Sequence, residues 1–112
     1  MSNVHQNPVV SIVMGSDSDL DRMAEAAKML EFFEVGYEIT VSSAHRSPAA
    51  AMRLAETATD RGIEVIIAGA GRAAHLAGVI AAHTILPVIG VPVDGGPLNG
   101  VTLFHSSNAT WY

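Results

Sequence analysis

Short β-branched apolar runs along the chain alternate with longer stretches in which apolar residues return every three or four positions. Val9 to Met14 (VVSIVM) is nearly continuous in apolar character and stops at Gly15, the pattern of a strand buried on both faces and followed by a tight turn. Met23, Ala26, Ala27, Leu30 and Phe33 then recur at helical spacing. They leave Asp19, Asp21, Lys28 and Glu31 to face water, with Gly36 placed to end the helix. A second strand is expected over Tyr37 to Ser42. Ser47 followed by Pro48 signals a helix start, because proline at the first helical position gives up an N–H that has no intrahelical partner. That helix runs to about Asp60 and Gly62 closes it. Ile63 to Ala68 predicts a third strand, Ala73 to His83 a third helix, and Pro87 to Val93 a fourth strand.

This alternation predicts an α/β fold, with parallel strands joined by right-handed crossovers in a doubly wound sheet. Ligands in such sheets bind at the carboxyl ends of the strands. Three segments each follow a strand there and open a helix: GSDSD (15–19), SSAHRSP (42–48) and AGAGRAAHLAG (68–78). Gly15, Ser16 and Ser18 offer backbone N–H groups and hydroxyls to a phosphate, or form an ordinary N-cap turn. Asp19 either complements the helix dipole or accepts hydrogen bonds from ribose hydroxyls. His45 and Arg46 read as a solvated turn or as a general acid/base beside an anion clamp. The glycines of the third segment permit close approach to a planar ligand, and His75 is either part of that site or a satisfied histidine on the following helix. Singly, each has a bland reading. Their coincidence at one sheet edge points to a pocket for a phosphorylated small molecule.

Composition narrows the choice. The 112 residues, 49 % apolar and 15 % charged, fit one domain with a real core. A net charge of -5 without a cluster of Lys or Arg gives no footprint for nucleic acid or an anionic membrane. The lack of cysteine removes disulfides, thiolate metal sites and a cysteine nucleophile. His5, His83 and His105 show no metal-ligand spacing, so no metal is expected. The methionines are expected mainly as core filler. MSNVHQNP carries no basic region ahead of an apolar one, and no apolar run approaches the roughly 18 residues of a membrane span, so a cytoplasmic protein is expected.

GSDSD, SSAHRSP, VIIAGAG with AAHL, and PVIGVPV followed by LNG occur in this order in the class I 5-(carboxyamino)imidazole ribonucleotide mutases of purine biosynthesis. The chain resembles that family over about residues 8 to 101. The resemblance implies a flavodoxin-like three-layer α/β/α sandwich and a homo-octamer whose sites use residues of neighbouring subunits. It also implies a cofactor-free transfer of the substrate's carboxylate from the exocyclic nitrogen to ring carbon C4. Ser16, Asp19 and Arg46 match the family's residues for the ribose phosphate, with Ser18 beside them. His45 matches its acid/base. Ser43, Ala44, Gly71, Ala74, His75 and Leu76 match residues around the base and the carbon dioxide pocket, His75 being counted with His45 as catalytic. Arg72 stands where the family usually has Gly, and Ala77 where it has Pro. The SAHR sequence and His75 favour the mutases over related enzymes that use free carbon dioxide.

Residues 1–8 are therefore expected to form a flexible tail, 9–101 a mutase-like domain truncated to about four strands, and 102–112 an atypical tail. The family continues with a segment like DSLLSIVQMPRGIPV, whereas here the chain reads VTLFHSSNATWY. Back-translating residues 102–112 with freely chosen codons and reading one nucleotide later gives Leu-Phe-Ser-Ile-Val-Gln-Met-Pro-Arg-Gly. A frameshift near codon 102 is the expectation this raises, and sequencing the coding DNA tests it. Mutase activity, or an inactive fragment that retains at most nucleotide binding, both accord with such a chain.

Overall fold

In chain order the computed structural model, which describes residues 7–42, 47–70, 75–93 and 109–111, runs as follows. Strand β1 (Val10–Met14) leads through a 3₁₀ turn at Asp17–Asp19 into helix α1 (Leu20–Phe32) and strand β2 (Tyr37–Val41). Helix α2 (Pro48–Thr57), strand β3 (Val65–Ala70), helix α3 (His75–Ala81), strand β4 (Val88–Pro92) and strand β5 (Ala109–Trp111) follow. The strands form one parallel sheet in the order β2-β1-β3-β4-β5. The four strands expected from the hydrophobic pattern are present. The three-residue β5, paired with β4 from Val88↔Ala109 to Gly90↔Trp111, is one the pattern does not reveal.

Side-chain alternation along each strand sorts the core into two layers. On one face Val10, Ile12 and Met14 of β1 and Tyr37 and Ile39 of β2 pack with Met23 and Ala27 of α1. On the other, Val13, Ile66, Ala68 and Val88 meet Ala51, Ala55 and Ala58, together with Leu76, Ala77, Ile80 and Ala81. The alanines of α2 let its backbone lie close to that of α3. With α1 on one face and α2 and α3 on the other, the molecule is the expected three-layer sandwich.

Ser11, Glu38 and Tyr37 find polar partners inside the sandwich. Ser11 Oγ donates to Glu38 Oε2 at 2.9 Å, and Arg61 Nη1 donates to both carboxylate oxygens of Glu38 at 2.9 and 2.8 Å. The Tyr37 hydroxyl donates to Glu31, and burial together with that carboxylate pushes the phenol up to about 12.

Local geometry corrects the sequence reading in four places. Helix α1 is ended by Glu34, not Gly36. Glu34 takes φ 58°, its N–H donates to the Glu31 carbonyl at 3.1 Å, and Val35 N–H donates to that of Leu30 at 2.8 Å. Gly36 instead supplies the carbonyl that Val9 and Val10 share at the start of β1. Phe33 does not join the core: the helix stops at Phe32, and Phe33 stays 64 % exposed, edge-on to Phe32 with ring centroids 5.0 Å apart. Met14 and Met23 are buried as expected of core methionines, whereas Met29 is exposed on the outer side of α1. The third strand begins at Val65 rather than Ile63 and runs on to Ala70, so the first glycine of AGAG is strand, not loop. The Gly62 reading holds: at φ 88° it closes the end of α2, with Gly62 N–H on Thr59 and Ile63 N–H on Ala58, both at 3.0 Å.

Candidate functional site

All strands run parallel, so β1, β2 and β3 end at the same edge. The chain leaves β1 to one side to form β2 and returns to the other to form β3. The β1/β3 boundary is therefore the point where strand order reverses, and clefts in open α/β sheets lie outside the carboxyl ends there. Two backbone hydrogen bonds extend the pairing past the strand ends at this point. Gly15 N–H donates to the Gly69 carbonyl at 3.2 Å, and Ser42 N–H to the Met14 carbonyl at 2.8 Å.

The segment after β1 is built around Ser16. Its backbone is extended (φ -154°, ψ 149°), and its Oγ accepts from Ser18 N–H at 3.3 Å and lies 3.0 Å from Ser18 Oγ. Asp19 N–H donates to the Ser16 carbonyl at 3.0 Å, closing the turn before α1. Ser16 and Ser18 are exposed and Asp19 is partly buried. Desolvation raises the Asp19 carboxyl above the usual carboxylate value, against the opposing pull of a hydrogen bond from the Ser16 backbone. A Cβ at Gly15 would meet nothing within 4 Å, so open space adjoins this turn. Hydroxyl donors, a carboxylate and a bare glycine thus share one corner of the sheet edge. Such a corner suits hydrogen bonding to the oxygens of a polar small molecule.

Gly15 and Gly69, both at this edge, have different reasons for lacking a side chain. Gly15 faces open space. A Cβ on Gly69 would collide with the Met23 side chain, coming within 2.8 Å of its Cε, so Gly69 answers to the packing of α1 rather than to a ligand. Of the other residues singled out in the sequence, Leu76 and Ala77 are fully inside the α2/α3 layer of the core, and His75 opens α3. Ser43, Ala44, His45, Arg46, Gly71, Arg72 and Ala74 lie outside the described residues. So do His5 and His105, whereas His83 pairs with Glu56 at 3.4 Å at the other end of the sheet.

Sequence reasoning placed Ser42 at the end of β2 and the start of the SSAHRSP segment but gave its own side chain no role. It is buried, and its Oγ has no hydrogen-bond partner among the described residues. A hydroxyl residue just past the end of a strand, where a carboxyl-edge segment begins, is the signal that marks it.

Other concave surfaces lie away from this edge. One, lined by Glu56, Thr59, His83 and Ile85, sits at the amino end of the sheet; another, over β2, is lined by Glu38, Arg53, Thr57 and Arg61. Neither includes the Gly15–Asp19 turn, and in the second Arg61 is already committed to Glu38. The sheet topology selects the site. Among the described residues no group of three His, Asp or Glu side chains is placed to hold a metal ion, and no helix is long and apolar enough to cross a membrane.

Comparison with known proteins adds identity to this geometry. A family model described as AIR carboxylase matches residues 9–109. An N5-carboxyaminoimidazole ribonucleotide mutase of Pyrococcus horikoshii is 62 % identical over 96 residues, 86 % of this chain and 54 % of that protein. A phosphoribosylaminoimidazole carboxylase of Schizosaccharomyces pombe is 58 % identical over 101 residues, 90 % of this chain and 18 % of that protein. The crystal structure of Treponema denticola PurE superimposes with a TM-score of 0.80 at 26 % identity, covering 94 % of this chain and 71 % of that one. The chain thus spans about half the length of the similar mutase and under a fifth of the carboxylase.

Proposed function

The chain belongs to the AIR carboxylase family, and from that premise we propose that it acts in purine biosynthesis as a 5-(carboxyamino)imidazole ribonucleotide mutase. The observation that carries the reading is the 62 % identity to a protein of that name, combined with the polar turn at the switch point of the sheet. The match takes in over half of the mutase but only 18 % of the carboxylase, which supports the mutase as the nearer reference.

In this reading Ser16, Ser18, Asp19 and Arg46 bind the ribose phosphate. Ser43, Ala44, Gly71, Ala74 and Leu76 surround the imidazole and the carbon dioxide pocket, and His45 and His75 form the catalytic pair. The carbamate N–C bond breaks, its electron pair returns to the exocyclic nitrogen, and carbon dioxide is released inside the pocket. The electron-rich C4 then attacks that carbon dioxide. His45 removes the C4 proton, restoring the aromatic ring, and the exocyclic nitrogen takes up one proton to end as a neutral amine, so the proton lost at C4 balances the one gained at nitrogen and the reaction is an isomerisation. Holding carbon dioxide beside C4 is the main catalytic demand, and it needs neither cofactor nor metal.

The same reading takes residues 9–101 as the mutase-like domain, flanked by tails at 1–8 and 102–112. It takes the working form as a cytoplasmic homo-octamer, without nucleic-acid or membrane partners. Conversion of the carboxyamino substrate to the C4-carboxylate by the purified chain tests it. Turnover in the wild type and a loss of about 10²-fold or more in His45→Asn are expected. Substrate binding without turnover would instead identify a nucleotide-binding fragment, and neither binding nor turnover would refute the reading.

A further inference from the structure

Ser42 is 8 % exposed, and its hydroxyl is the only buried side-chain polar atom among the described residues that is left without a hydrogen-bond partner. Its place is specific. The β1/β2 register ends at Met14↔Val41, and Ser42 N–H continues it by donating to the Met14 carbonyl at 2.8 Å. Ser42 therefore lies alongside Gly15, whose N–H reaches across to the Gly69 carbonyl and whose missing side chain borders open space. The other buried polar side chains within strands, Ser11 and Glu38, satisfy each other at 2.9 Å. A buried hydroxyl with no partner loses its hydration without return, which is why native structures rarely keep one unless something else supplies the partner.

We infer that the Ser42 hydroxyl is a further substrate-binding group that donates a hydrogen bond to an oxygen of the phosphorylated sugar held at the carboxyl edge of the sheet. This rests on the ribonucleotide reading above and adds to it a residue at the end of β2. The hydroxyl is already desolvated in the free protein, so the ligand oxygen gains a donor that has no competing water to displace.

Calorimetric titration with ribose 5-phosphate and, separately, inorganic phosphate tests it, using the wild-type chain, Ser42→Ala and Ser42→Thr. Ser42→Ala is expected to weaken ribose 5-phosphate binding about five- to tenfold, the loss of one neutral hydrogen bond. Its thermal midpoint should be unchanged or raised, because an unpartnered buried hydroxyl has been removed. Ser42→Thr, which keeps the hydroxyl, should retain most of the affinity. An equal loss for inorganic phosphate assigns the acceptor to the phosphate; a loss confined to ribose 5-phosphate assigns it to the sugar. Wild-type affinity in Ser42→Ala overturns the inference alone. So does a fall in midpoint together with affinity, which would mean that the hydroxyl is bonded within the fold. Absence of binding in the wild type overturns the ribonucleotide reading itself.

Discussion

At the amino edge of the sheet, Glu64 and Val65 N–H converge on the Val9 carbonyl at 2.7 and 3.3 Å, Ile66 N–H meets Pro87 at 3.0 Å, and Val9 and Val10 share Gly36. Two of the helix ends near that edge, those of α1 and α2, are closed by capping turns at Glu34 and Gly62. At the carboxyl edge the described residues of the strands make two such backbone bonds, Gly15 to Gly69 and Ser42 to Met14. Beyond them stand the hydroxyls of Ser16, Ser18 and Ser42, a carboxyl raised by desolvation, and a glycine facing open space. The same strands thus end in internally satisfied hydrogen bonds on one side and in spare bonding capacity on the other. Stability and ligand recognition are separated along the strand axis, and substitutions at the two ends should separate in the same way.

The largest expected break is Arg61→Ala. It strips the cationic partner from Glu38, whose side chain is only 10 % exposed and keeps only the Ser11 hydroxyl, and should cost about 2 kcal/mol of stability by denaturant titration while leaving the ligand affinity of the folded fraction unchanged. Gly69→Val is the substitution that should fail at both ends. The new side chain must displace Met23, costing about 2 kcal/mol, and α1 moves with it, so binding at the Gly15–Asp19 turn should weaken as well. A stability loss with unaltered binding would show that the two ends are less coupled through Met23 than the packing implies.

Glu34→Gly should sharpen the contrast in the opposite direction. At φ 58° the glutamate pays a steric cost that glycine avoids, so the variant should gain about 1 kcal/mol with no change at the carboxyl edge. The smallest effect is confined to alkaline solution. The Tyr37 phenol is held up to about 12 in the fold against 10.0 in the unfolded chain, so its contribution is fully present below pH 10 and is lost as pH rises toward 12. Tyr37→Phe should flatten the decline of unfolding free energy over that interval.

The sandwich was legible in the sequence because its signals are local and periodic. VVSIVM ending at Gly15, Pro48 opening α2 and Gly62 closing it each carry their own backbone chemistry. Glu34 escaped notice because glutamate is not a residue that advertises a left-handed turn, and Gly36, two positions on, drew the reading instead. Phe33 fits the helical period by count, yet the helix stops one residue short of it. Strand β5, only Ala-Thr-Trp, is too short to show a period. The polar corner at Ser16, Ser18 and Asp19 was readable from its place after a strand. The reason for Gly69 was not, since it depends on where α1 lays Met23. Ser42 was legible only as the first residue of the SSAHRSP segment, because burial alone shows its hydroxyl to be without a partner.

The most direct test of the site at the carboxyl edge is amide hydrogen–deuterium exchange with and without 5-aminoimidazole ribonucleotide. Slower exchange across Gly15–Asp19 and Ser42, with no change across Glu56–Arg61 and Ala82–Leu86, is the predicted result. Protection at the amino edge with none at Gly15–Asp19 would contradict the account.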